Sequence, residues 1–223
     1  FYHYIEDNRR QQLDTLKLGS LVKELELKTI KSHINPHFIF NALNVIQSFV
    51  YAGEKQQASS LIGKFSSLVR QTLQFSKSSL ISIEEELNFI RNYTELEIQR
   101  MGTDLDVHFA ISPDLNLKKV FVPPLLIQPY VENALRHGLY HKQGKRWLSI
   151  SIEENNKSVK IKIEDNGVGR HTAKELSVEI EHLSFASGAN EERVKLLHQL
   201  NELNFDIEIQ DKSTSNGESD GTI

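Results

Sequence analysis

The period of the apolar residues changes once along this chain, and that change limits the fold more than any other feature. Up to Met101 apolar positions recur at helical spacing: Ile30, Ile34, Phe38, Val45 and Phe49, then Leu61, Phe65 and Leu68. After Gly102 they alternate, at Val107, Phe109 and Ile111, at Leu148, Ile150 and Ile152, and at Val159, Ile161 and Ile163. A chain patterned this way is α+β: helices first, then a layer of antiparallel strands and helices.

Between Glu6 and about Tyr51 only Gly19 and Pro36 punctuate the sequence, so one long helix is expected, bent at Pro36. The proline ring lacks an N–H and meets the carbonyl of Ser32. Ala52-Gly53 ends that helix, and a second runs from about Lys55 to Phe75 with Leu61, Phe65, Leu68 and Thr72 on one face. A helical hairpin buries both apolar faces poorly alone, so a partner chain completing a four-helix bundle is expected. Lys77 to Leu80 reads as a Ser-rich linker, dividing the chain into 1–80 and 81–223. Ser82 with Glu85 makes a capping box for the next helix, which runs to about Met101. Its acidic triplet Glu84, Glu85 and Glu86 reads as a complement to the helix dipole. A later helix is entered through Pro123-Pro124 and ends near Gly138, and Glu154 to Lys157 is a hairpin turn. A further helix is expected from about Asn190 to Asn204, a strand at Ile207 and Ile209, and a polar loop from Lys212 to Gly221.

With 223 residues and a formal net charge of −4, the chain has the material for a real core and lacks the basic stripe of a nucleic-acid binder. It has no cysteine, which excludes disulfides and thiolate zinc sites. The longest apolar run, Val120 to Val131, contains three prolines and is too short to cross a bilayer. No signal peptide is expected, and Phe1 to Ile5 reads equally as the stub of a membrane segment or as a helix start.

Three groups of residues carry chemistry. In the first, Ile34-Asn35-Pro36-His37-Phe38-Ile39-Phe40-Asn41-Ala42-Leu43-Asn44, His37 follows the helix bend and Asn41 shares its face one turn on. A neutral imidazole attacks a γ-phosphate without a strong base, and the Asn41 amide can orient a water or a phosphoryl oxygen. A kinked helix with a surface histidine fits the same residues. His33 with His37 has metal-pair spacing but lacks a third ligand. In the second, Gln128 to Gly138, the residues Glu132, Asn133 and Arg136 fall on neighbouring parts of one helix surface. Asn133 offers a neutral oxygen to Mg2+, Arg136 a phosphate grip, and Glu132 a place for a proton or a water. An ordinary Glu–Arg ion pair on an amphipathic helix explains them as well. In the third, Glu164-Asp165-Asn166-Gly167-Val168-Gly169, Asp165 can accept from an adenine amino group, and Gly167 and Gly169 let backbone approach the base. A hairpin turn is the plain alternative.

In that order the three groups resemble the LytS/YehU-type sensor histidine kinases, over about Leu25 to Thr222. The resemblance implies a GHKL (Bergerat) α/β sandwich after a dimeric helical bundle, ATP and Mg2+ as cofactors, a homodimer, and a response-regulator receiver domain as partner. His37 inherits the phosphoacceptor role, with Glu132 and Asn41 beside the reaction. Asn133 holds Mg2+, and Asn133, Arg136, His137, Asp165, Gly167, Gly169 and Arg193 surround the nucleotide. The chain is then the cytoplasmic domain of an inner-membrane protein, reaching the membrane only through segments before Phe1. It departs from the family in three places: His33 stands where glutamine is usual, Ala186 stands where the second glycine box has glycine, and the final strand is expected to be cut short. Two alternatives stand beside the kinase: an ATPase of the same fold in which Glu132 activates water as acceptor, and, motivated by Ala186 and the final strand, a non-enzymatic pseudokinase or dimeric adaptor.

Overall fold

Local capping signals fix the first half of the fold. The structure, a computed structural model, describes residues 36–101, 104–155, 158–169, 208–213 and 219–223. Helix α1 (Pro36–Tyr51) ends on Gly53, whose φ of 76° only glycine adopts at low cost. The Glu54 N–H donates to the Phe49 carbonyl and the Gly53 N–H to that of Val50, which closes a Schellman cap. Helix α2 (Lys55–Phe75) has the bounds expected from spacing and buries Leu61, Leu68, Thr72 and Phe75. The Ser82–Glu85 box then forms as read: the Ser82 N–H and hydroxyl donate to Glu85 Oε2 at 2.8 and 2.7 Å, and the Glu85 N–H donates back at 3.2 Å. It opens helix α3 (Ile83–Met101), which follows the two-residue strand β1 (Ile81–Ser82).

Strands β2 (Leu105–Ile111), β4 (Arg146–Asn155) and β5 (Ser158–Asp165) form one sheet in the order β2-β4-β5. The expected all-antiparallel layer needs correction: β4 and β5 are antiparallel, but β2 and β4 are parallel, with Val107 opposite Leu148. Parallel neighbours need a long crossover, here supplied by β3 (Phe121–Val122), paired with β1, and by the helix after it. That helix, α4 (Gln128–Asn133), begins later than Pro123-Pro124 and continues as a π-helix over Ala134–Leu139. The expected C-terminal loop is also corrected. Asp211–Ser213 (β6) and Ser219–Thr222 (β7) are antiparallel strands, and Ile209 lies just before them.

One apolar core runs through the molecule. Leu61, Leu68 and Phe75 of α2 lie in the same cluster as Leu87 and Ile90 of α3, Val131 and Leu135 of the α4 segment, and Leu148, Ile150 and Ile152 of β4. The acidic triplet is more than a dipole complement, because Glu86 is completely buried. Its Oε2 accepts the Leu125 N–H at 2.8 Å and its Oε1 the Ile127 N–H at 2.9 Å. Leu125, also fully buried, stands at φ 57°, a left-handed conformation that costs a leucine about 1–2 kcal/mol. The buried carboxylate therefore clamps the strained turn that launches α4.

Candidate functional site

His37 lies in α1, whose described residues begin at Pro36. His33, the helix before Pro36, the Asn190–Asn204 helix, Ile207, Ala186 and Arg193 lie outside the described residues. Downstream on α1, Phe38 and Asn41 reach the second half of the chain. The Phe38 ring stacks on that of Tyr93, centroids 5.2 Å apart and 29° between planes. Asn41 packs into a closed seam, too tight to admit a water, with Tyr93, Glu97, Arg100, Glu132 and Arg136. The structure thus brings together three residues read from different motifs: Asn41 of the first group, Glu132 and Arg136 of the second.

Glu132 is buried, and the Arg136 guanidinium donates to its Oε1 at 3.2 Å. This is the ion pair that the plain reading of the motif foresaw, and it sits in the seam. A second pair faces it from α3, where Arg100 Nε donates to the buried Glu97 Oε2 at 2.9 Å. Burial, then the nearby Glu132 and Glu97 carboxylates, hold the Tyr93 hydroxyl well above the ordinary phenol range. It stays protonated and neutral. Asn133, at the end of α4, is half-buried next to Glu132. Its amide oxygen is a neutral donor of the kind that would suit a magnesium ion. His137 follows in the π-helix. Burial first, then Arg136 and His141, lower its pKa, which favours the neutral ring.

The third group closes against the end of the second. Asp165 ends β5, is buried, and accepts the Gly167 N–H at 2.7 Å. The Val168 N–H donates to the Gly138 carbonyl at 3.1 Å. A Cβ on Gly167 would stand 2.3 Å from the Gly138 carbonyl carbon, and one on Gly138 would stand 2.8 Å from Asp165 Oδ1. Gly221, at φ +98°, would bring a Cβ within 2.1 Å of the Asp165 carbonyl oxygen. The backbones of Gly138 and Gly167 therefore approach the Asp165 carboxylate, and that of Gly221 approaches its main-chain carbonyl. Gly169 has φ 75°, so it too occupies a conformation suited to glycine. Asn166 pins the turn to β4: its Oδ1 accepts the Trp147 N–H at 2.8 Å and its Nδ2 donates to the Lys145 carbonyl at 3.1 Å. Burial lifts the Asp165 carboxyl from 3.8 to about 6, opposed by the Gly167 N–H and the Lys212 charge.

Sequence reading missed Tyr93, Glu97 and Arg100. A signal was available, since the three recur at spacings of four and three and so share a face of α3.

Residues 25–105 match the family model described as histidine kinase. The uncharacterized protein YwpD of Bacillus subtilis strain 168 is 34% identical over 181 residues, covering 79% of this chain and 64% of that protein. Sensor histidine kinase YpdA of Escherichia coli K12 is 37% identical over 153 residues, covering 69% of this chain and 26% of that protein. Sensor protein LytS of Staphylococcus haemolyticus is 30% identical over 151 residues, covering 68% and 25%. The chain thus spans less than two thirds of each relative.

Proposed function

We propose, on the premise that this chain belongs to the LytS-type sensor histidine kinases, that it binds Mg-ATP and transfers the γ-phosphoryl group to its own His37. A lone pair of the imidazole forms the N–P bond while the bond from phosphorus to the bridging oxygen breaks, and ADP leaves with that electron pair. Glu132 takes the proton that the ring then sheds. Arg136 neutralises phosphate charge, and Asn133 would hold a magnesium ion, whose chemistry there would be to offset negative charge on the phosphates. Asp165 accepts from the adenine amino group, with Gly167, Gly169 and Gly138 keeping side chains out of the way. His137 and Arg193 complete the nucleotide surroundings. Catalysis comes from positioning and charge neutralisation.

The observation that carries this reading is that Asn41, one helical turn from His37, meets Glu132 and Arg136 in one seam. The nucleotide half is of GHKL type in this reading. The phosphoryl group passes from His37 to an aspartate of a response-regulator receiver domain, and the chain works as the cytoplasmic part of a membrane-anchored sensor. Phe40, Leu43 and Val50 on α1, with Ile62 and Leu73 on α2, are exposed apolar residues. They support a second copy closing a four-helix bundle.

Autophosphorylation from labelled ATP tests the reading. His37→Gln is expected to abolish acid-labile label and His33→Gln to leave most of it. Label that survives His37→Gln would rule the reading out.

A further inference from the structure

The ring contact next to His37 has a use beyond packing. Phe38 is held between Tyr93, at 5.2 Å, and Phe65, at 6.3 Å. Tyr93 is 2% exposed, so its ring is itself rigidly seated. It lies on α3, one turn before Glu97, and Glu97 and Arg100 line the seam that Asn41 enters opposite Glu132 and Arg136. Because His37 precedes Phe38 directly, whatever fixes the Phe38 ring fixes the stretch of helix that carries the acceptor. The hairpin is also fastened to the nucleotide half of the same chain. Phe75 at the end of α2 packs on Phe89 of α3, centroids 5.8 Å apart. The connection between these helices, Ser76 to Ser82, spans no more than about 25 Å fully extended.

We propose that Tyr93 is a positioning residue for the phosphoryl transfer: it seats Phe38 so that the acceptor helix stands beside Glu132 and Arg136 of its own chain, and His37 is phosphorylated within the chain rather than across the dimer. This rests on the kinase reading above. Tyr93 touches neither phosphate nor imidazole in this scheme. It fixes the direction from which the nucleophile approaches, a term to which rates respond steeply.

Two measurements test it. In the first, autophosphorylation is followed against ATP concentration for Tyr93→Ala, Phe38→Ala and Tyr93→Phe. The two alanine variants are expected to lower kcat about tenfold, the scale of one buried aromatic contact, with KM for ATP within about twofold of wild type. Tyr93→Phe, which keeps the ring, should recover most of the rate. An unchanged KM also reports that the nucleotide half has folded. A kcat unchanged in both alanine variants, while His37→Gln is inactive, would remove the seat and leave the kinase reading intact.

In the second, a wild-type chain is paired with a size-tagged chain carrying Asn133→Asp. Transfer within the chain puts label on the wild-type band alone. Label on the tagged band overturns the proposal. The tagged Asn133→Asp chain by itself is expected to take no label, and label there would count against the role of Asn133, not against Tyr93.

Discussion

Replacing Glu86 by glutamine probes the clamp at the entrance of α4. Both carboxylate oxygens are engaged, one by the Leu125 N–H and one by the Ile127 N–H, in a position with no solvent access. Glutamine keeps one acceptor and turns an NH2 group toward the other N–H. One charge-assisted bond, worth about 1.5–3 kcal/mol, disappears, and a buried backbone donor is left orphaned at a cost of about 1–3 kcal/mol. These two terms overlap, so the loss should be about 2–4 kcal/mol. For a chain of 223 residues that corresponds to roughly 4–16 °C in Tm. Glu86→Ala orphans both donors and should cost about 3–5 kcal/mol. Urea unfolding followed by far-UV circular dichroism gives the number, and ATP titration should show weaker binding, because the clamped turn launches the helix that carries Asn133. A Glu86→Gln variant within about 0.5 kcal/mol of wild type would refute the clamp.

Three further outcomes follow from Asp165 and its glycines. The folded carboxyl titrates at about 6, above its ordinary 3.8, so the folded chain holds an extra proton between about pH 4 and 6. Its contribution to stability is therefore most favourable below pH 4 and falls as pH rises through 6, by at most about 3 kcal/mol; Asp165→Asn should flatten that slope in urea titrations at stepped pH. ATP affinity should run the other way in calorimetry, rising as the carboxylate ionises near pH 6, with the rise absent in Asp165→Asn. Gly167→Ala drives a Cβ into the Gly138 backbone at 2.3 Å, so a loss of about 1–3 kcal/mol and weaker ATP binding are expected in thermal shift assays with and without nucleotide.

What could be read from the sequence was what is encoded locally. The bounds of α2, the Gly53 stop and the Ser82–Glu85 box each depend on residues within one helical turn of each other. Alternation located β2, β4 and β5 but carries no sign of direction, so the parallel β2–β4 pairing stayed hidden. Glu86 looked like its two neighbours because its partners lie 39 and 41 residues away. Asn41, Glu132 and Arg136 were identified singly, and only the folded chain brings them into one seam, through a Phe38–Tyr93 contact that no motif announces. The strands β6 and β7 were read as loop because residues such as Ser219, Asp220 and Gly221 have low strand propensity. Their pairing with each other and the packing of β7 on Asp165 override that preference.

The π-helix over Ala134–Leu139 makes the two ends of this segment answerable to different changes. A regular helix advances about 100° per residue, so the surplus residue of a π turn sets the angular phase of everything after it. Asn133 lies before the surplus and Gly138 within it. Deleting a single residue between them would close the turn to α geometry and leave the glycine near its present phase, whereas inserting one would rotate it out of its fit against Asp165. Ordinary substitutions scarcely disturb such a phase, so this stretch of chain is guarded by its length more than by its letters.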